Sequence, residues 1–196
     1  MNPASLTTGP ARNQQLAEAV YRLLMQDGEL PSCPVVALGQ AAGAMYAGVR
    51  RYLEKELQSA LLISWQGRFD AELMGNRQLV LREVGQPAPS PSAQQAAATL
   101  LRYLGAIPSG SPCLFLLSTG AARLCETTGG VLPALHTRLD QLHCYGLKLQ
   151  DADWDQPAPD ADDWTVLNGR LHWQRINPAL EAGLPAFSFE RGKPAA

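Results

Sequence analysis

Charge is scarce in this chain of 196 residues: Asp, Glu, Lys and Arg together make up 17% of it. That is low for a freely solvated surface and implies that a partner covers part of it. Lysine is nearly absent, with only Lys55, Lys148 and Lys193, the other cations being arginines, and the net charge is −2. No basic field exists to attract nucleic acid or an anionic membrane. The four cysteines, Cys33, Cys113, Cys125 and Cys144, form no C-x-x-C pair and stand near no Cys/His cluster. That spacing argues against zinc, and no metal site is expected. There is no charged-then-apolar leader, no apolar run of membrane-spanning length, and no internal repeat. The expectation is a cytoplasmic protein in a reducing compartment.

What is present is globular. The hydrophobic content is 46%, and the length suits one domain with a full core. Residues 1–13 lack a pattern and are expected to be flexible. From Gln14 to Met25, Leu16, Val20, Leu23 and Leu24 fall on one helical face, and Asp27-Gly28 ends the helix. Pro34 to Leu38 (PVVAL) reads as a buried parallel strand, followed at Gly39 by an alanine-rich helix to about Glu56. Leu61 to Ser64 and Gln78 to Val84 read as strands, the latter nearer an edge. A proline-rich loop from Gly85 to Pro91 precedes a helix from Ser92 to Leu104, with Ser90 or Ser92 as its cap. Cys113 to Leu117 (CLFLL) is the most buried-looking strand, and a further helix is expected near Pro133 to Leu142. Strands alternating with helices predict an α/β fold, a three-layer α/β/α Rossmann-like arrangement around a mostly parallel sheet. Beyond 14–146 the composition changes. Residues 147–163 are expected to form an acidic loop, 164–191 a β-hairpin extension turning at Asn168-Gly169, and 192–196 a disordered tail.

Two strand-to-helix turns are candidates for chemistry. In the first, Gly39-Gln40-Ala41-Ala42-Gly43, small residues let backbone N–H groups approach an anion at the positive end of a helix. The same residues also suit close packing of a helix on a sheet. In the second, Ser118-Thr119-Gly120-Ala121-Ala122-Arg123 offers two hydroxyls, a permissive glycine and an arginine one turn into a helix, suited to a carboxylate or phosphate. A capped helix with a solvated Arg123 fits equally well. Neither turn matches a phosphate-binding P-loop or a dinucleotide fingerprint.

Taken in order, three stretches resemble the N-terminal domain of the two-domain bacterial glycerate 2-kinase family. They are Gly39-Gln40-Ala41-Ala42-Gly43-Ala44-Met45, Gly85-Gln86-Pro87-Ala88-Pro89-Ser90, and Ser118-Thr119-Gly120-Ala121-Ala122-Arg123-Leu124. The family patterns are G-K-A-A before a helix with a methionine, G-H-P-x-P-D, and S-G-G-G-S-A-L. The likeness runs from roughly Gln14 to Leu142. It implies a Rossmann-like domain and ligand-binding positions at Gly39, Gln40, Ala41, Gln86, Ser118, Thr119, Gly120 and Arg123.

The departures are electrostatic. Gln40 stands where the family has lysine, Gln86 where it has histidine, Ser90 where it has aspartate, and the triple glycine is reduced to Gly120. A neutral amide hydrogen-bonds phosphate without neutralising the charge of phosphoryl transfer. The family's C-terminal domain has no counterpart. The resemblance therefore implies a degenerate, non-catalytic or accessory module that binds a small hydroxy acid, a phosphate or a protein partner, with no cofactor. A homodimer through Trp164 and Trp173 is included in that expectation. The alternative is an active kinase of glycerate or a related hydroxy acid, using ATP and Mg²⁺. A hydrolase or isomerase built on Ser118 or Cys125 fails the G-x-S-x-G elbow pattern. His136, His143 and His172 lack ligand spacing and read as surface or packing residues, and 151–163 does not fit a calcium loop.

Overall fold

In the computed structural model the described residues are 8–27, 30–85, 90–118, 120–124, 131–149, 171–176 and 189–190. The elements are helix α1 (Thr8–Asp27), strand β1 (Val35–Leu38), α2 (Ala42–Leu53), β2 (Ala60–Trp65), α3 (Ala71–Gly75), β3 (Leu79–Val84) and α4 (Pro91–Gly105). They continue as β4 (Pro112–Leu117), α5 (Ala121–Leu124), α6 (Val131–Leu139), β5 (His143–Leu149), β6 (Leu171–Ile176) and β7 (Phe189–Glu190).

The sheet has seven strands in the order β3-β2-β1-β4-β5-β6-β7. Five are parallel, and β6 and β7 extend the β5 edge in antiparallel pairing. The chain runs outward from β1 through β2 to β3, then returns past β1 to β4. The strand order therefore reverses between β1 and β4, where open α/β sheets leave a crevice at the carboxyl ends of their strands.

The central strands read as unbroken apolar runs because both faces are covered. Val35, Ala37, Ala60, Leu62, Leu114 and Leu116 pack with Leu16, Val20 and Leu24 of α1 and Met45, Tyr46 and Val49 of α2. Val36, Leu38, Leu61, Ile63, Phe115 and Leu117 pack with Leu100 and Leu104 of α4 and Leu135 and Leu139 of α6. This is the three-layer α/β/α architecture expected from the sequence.

Several boundaries differ from that expectation. Helix α1 begins at Thr8, inside the segment expected to be flexible, and Pro10 lies in its first turn, where a missing N–H goes unnoticed. The strand His143–Leu149 runs past the expected domain boundary at 146 and takes the first residues assigned to the acidic loop. Gly146 and Lys148 weaken its local strand signal, and its partner β4 lies far away in sequence. Of the expected hairpin, Leu171–Ile176 is strand β6, paired with β5 and β7. Trp164 and the Asn168-Gly169 turn lie outside the described residues, as do 150–163 and the tail.

Helices α1 and α2 cross at a glycine. A methyl group on Gly48 would stand 2.4 Å from the Ala17 carbonyl oxygen and within 2.8 Å of Val20. Gly48→Ala gains about 1 kcal/mol of helix propensity but forces backbone apart, an overpacking cost of about 1–3 kcal/mol. The expected outcome is a net loss of up to about 2 kcal/mol in urea unfolding, and a variant more stable than the parent would disprove this close crossing.

Candidate functional site

Two turns meet where the strand order reverses. Gly39 leaves β1 at φ +118°, a conformation that side chains rarely tolerate. Its N–H donates to the Ile63 carbonyl of β2 at 3.1 Å. Its carbonyl accepts from the Ser64 hydroxyl at 2.9 Å and from the Ala42 N–H at 3.2 Å. From the other side, the Ser118 N–H donates to the Leu38 carbonyl at 2.9 Å. The Ser118 hydroxyl accepts from the Ala41 N–H at 3.0 Å and donates to the Leu38 carbonyl at 3.3 Å. Ser64 and Ser118 are both buried. The two hydroxyls, one from each neighbouring strand, thus clamp the turn between β1 and α2.

The second turn is equally close-packed. Gly120 has φ +82°, and a methyl group there would lie 2.8 Å from the Trp65 indole nitrogen. The Ser118 carbonyl accepts from the Ala121 N–H at 3.1 Å, and Gly120 accepts from Leu124 at 3.3 Å. Gly39, Gln40, Ala41, Ser118 and Gly120, all singled out from sequence, therefore belong to one junction. Arg123 lies on α5, placed by its backbone alone. Thr119 and Gln86 are outside the described residues, as is Cys125.

Sequence reasoning passed over Ser64 and Trp65. The available signal was position: they are the last two residues of β2, and so had to end beside the turn that follows β1. The structure also separates the two serines offered as caps of α4. Ser90 accepts from the Ala93 N–H at 3.2 Å, whereas Ser92 turns back to accept from Gly85 at 3.0 Å.

The chemistry of the junction is neutral. Gly39, Gln40, Ala41, Ser64, Trp65, Ser118 and Gly120 carry no formal charge, and the side-chain oxygen of Gln40 is enclosed by protein. The positive end of α2 adds a partial charge near the turn, but the Ala41 and Ala42 amides are already spent on Ser118 and Gly39. A magnesium–nucleotide pair calls for oxygen anions to hold the metal and cations to hold the phosphates. This donor set does not fit it. Among the described residues, no group of three His, Cys, Asp or Glu side chains could hold a metal ion.

Two of the described cysteines, Cys33 and Cys113, are buried in a way that keeps their thiols protonated. Burial pushes the Cys33 thiol up to about 12, against a hydrogen bond from the Leu114 backbone that acts the other way. Burial raises Cys113 still further, with Cys144 and Cys33 adding to it, and raises the Tyr103 phenol despite its bond to Ser59. A thiol held protonated does not attack.

The chain belongs to the family described as "Domain of unknown function (DUF4147)", whose model matches residues 3–146. In structure it is similar to a glycerate kinase from Thermotoga maritima, with a TM-score of 0.55 and 16% identity over 76% of this chain. A protein of Pyrococcus horikoshii OT3 aligns with a TM-score of 0.45 and 18% identity over 71% of this chain. The chain spans 45% of the former and 35% of the latter, less than half of each. No curated protein matches it in sequence. The domain is glycerate-kinase-like in fold, as its three turns implied. No helix among the described residues is long and apolar enough to cross a membrane.

Ser118→Ala is expected to cost about 1–3 kcal/mol, because it leaves the buried Ala41 N–H without its acceptor. Gly39→Ala combines a left-handed backbone with a methyl 2.2 Å from the Ser118 hydroxyl oxygen, and should cost about 3 kcal/mol or more. Chemical denaturation measures both, and equal effects would contradict the clamp. The raised thiols predict alkaline instability. The unfolded Cys33 ionises near about 8.5, the folded one only near 12. Stability from this group is complete below the unfolded value and is lost as pH rises through the folded one. Unfolding midpoints should hold steady up to about pH 8 and fall above about pH 9, with a shallower fall in Cys33→Ala.

Proposed function

We propose that this chain is a non-catalytic glycerate-kinase-like binding module that holds a small anion, a hydroxy acid or a phosphate, at the junction of the two turns. The observation that carries the reading is the Ser118 hydroxyl, committed to Ala41 and Leu38 at a junction where Gln40 stands in place of the family's lysine. Phosphoryl transfer depends on charges placed against the transferring group, and each missing charge removes transition-state stabilisation. The partial positive charge of α2, with Arg123 on α5 as the one nearby cation in the turn sequence, supports binding without supplying that chemistry.

Thermal unfolding in the presence of inorganic phosphate or glycerate tests the binding, since a ligand of the folded state raises its stability by mass action. The expected result is a concentration-dependent rise in Tm with both anions, lost in Arg123→Ala and enlarged in Gln40→Lys. In a coupled assay, the purified chain with ATP, Mg²⁺ and glycerate should release no ADP above background. Turnover dependent on all three would establish the kinase alternative, and the absence of any anion-dependent shift would remove the binding reading.

A further inference from the structure

At the opposite end of the sheet the strands begin rather than end, and there a cleft of about 270 Å³ opens beneath the last turn of α4. Its floor is the start of three neighbouring strands, where Val35 N–H donates to the Ser59 carbonyl at 3.0 Å and Leu114 N–H to the Pro34 carbonyl at 2.9 Å. Pro34, Pro108 and Pro112 form much of the wall, and their locked φ angles leave little freedom for collapse. The rim loop after α4 is tied down as well. Ser111 N–H donates to Pro108 at 3.2 Å, Gly110 N–H to Gln141 at 2.7 Å, and the Arg138 guanidinium to the carbonyls of Leu104 and Ile107. A concave site with rigid walls of this kind is preformed.

Its polar groups converge on one spot. The Tyr103 hydroxyl and the Ser59 hydroxyl lie 2.8 Å apart, and Tyr103 also reaches the Val35 carbonyl at 3.4 Å. When Tyr103 donates to Ser59, the serine proton is released toward the cleft; when Ser59 donates to Tyr103, a serine lone pair is. Ser111 adds a third hydroxyl. Among the described residues no Asp, Glu, Lys, Arg or His lines the cleft, and a bound anion would lose hydration with no opposite charge on the lining to replace it.

We propose that this cleft is a second binding site, distinct from the turn junction, for a small neutral molecule that joins an apolar ring to a carbonyl or hydroxyl group. The ring packs on the proline rings and the polar group bonds with the Tyr103–Ser59 pair.

Amide NMR of the full chain tests this with three probes: benzamide, the isosteric but charged benzoate, and inorganic phosphate. Millimolar benzamide is expected to shift the amides of Ser59, Tyr103 and Ser111, benzoate to do so at least about fivefold less, and phosphate to leave them still. Tyr103→Phe should weaken benzamide about fivefold, the loss of one neutral hydrogen bond. Ser111→Trp, which fills the mouth from the rim, should abolish the shifts and decides the matter if Tyr103→Phe unfolds. Benzamide that moves no amide of the cleft overturns the proposal. So does benzoate binding equally well, or benzamide binding undiminished in Ser111→Trp.

Discussion

The Ser118 hydroxyl sits between the end of β1 and the start of α2, accepting a hydrogen bond from the Ala41 N–H and donating one to the Leu38 carbonyl. Both groups it touches are main chain from the other half of the sheet, so the bond ties β4 to the β1–α2 turn across the point where the strand order reverses. Gly39 is the consequence. The serine approaches so closely that no residue with a Cβ fits, and the turn is free to adopt φ +118° only because glycine occupies it. Ser64 completes the arrangement from β2, so that three strands hold one turn.

This economy has a chemical side. Polar atoms satisfied by the protein itself are not available to a ligand without an exchange of partners. In the glycerate 2-kinase pattern a lysine stands beside the first glycine, and here the position belongs to Gln40, whose amide oxygen is enclosed. The junction is therefore well organised and weakly charged. Its shape is held by its own hydrogen bonds rather than by formal charge.

The two ends of the sheet divide the molecule. At the carboxyl ends lie the turns, the positive-φ Gly39 and Gly120, and the buried Ser64 and Ser118. At the amino ends lie prolines and a rim loop pinned by Arg138, which binds α6 to the carbonyl end of α4. The first end has backbone dipoles and few side-chain groups. The second has the hydroxyls of Ser59, Tyr103 and Ser111 and the guanidinium of Arg138 turned onto carbonyls of α4 and the rim.

Apolar runs and turn residues were enough to place α1, α2, α4, α6 and the first four parallel strands, though not the short α3, because burial of both sheet faces leaves an apolar signature in each strand. The edge position of β3 was legible from its alternation, and the candidate glycines from the turns they occupy. Strand β5 was not, since Gly146 and Lys148 blur it and its register is set by β4 rather than by its own residues. Nor could sequence assign Ser118 its role: a serine after a strand reads equally as a helix cap or a ligand contact. Its partners lie 77 and 80 residues earlier, and only the folding of β1 against β4 brings them within hydrogen-bonding distance. Local patterns record which residues must be buried; which polar atoms then meet depends on strand order, a property of the whole chain.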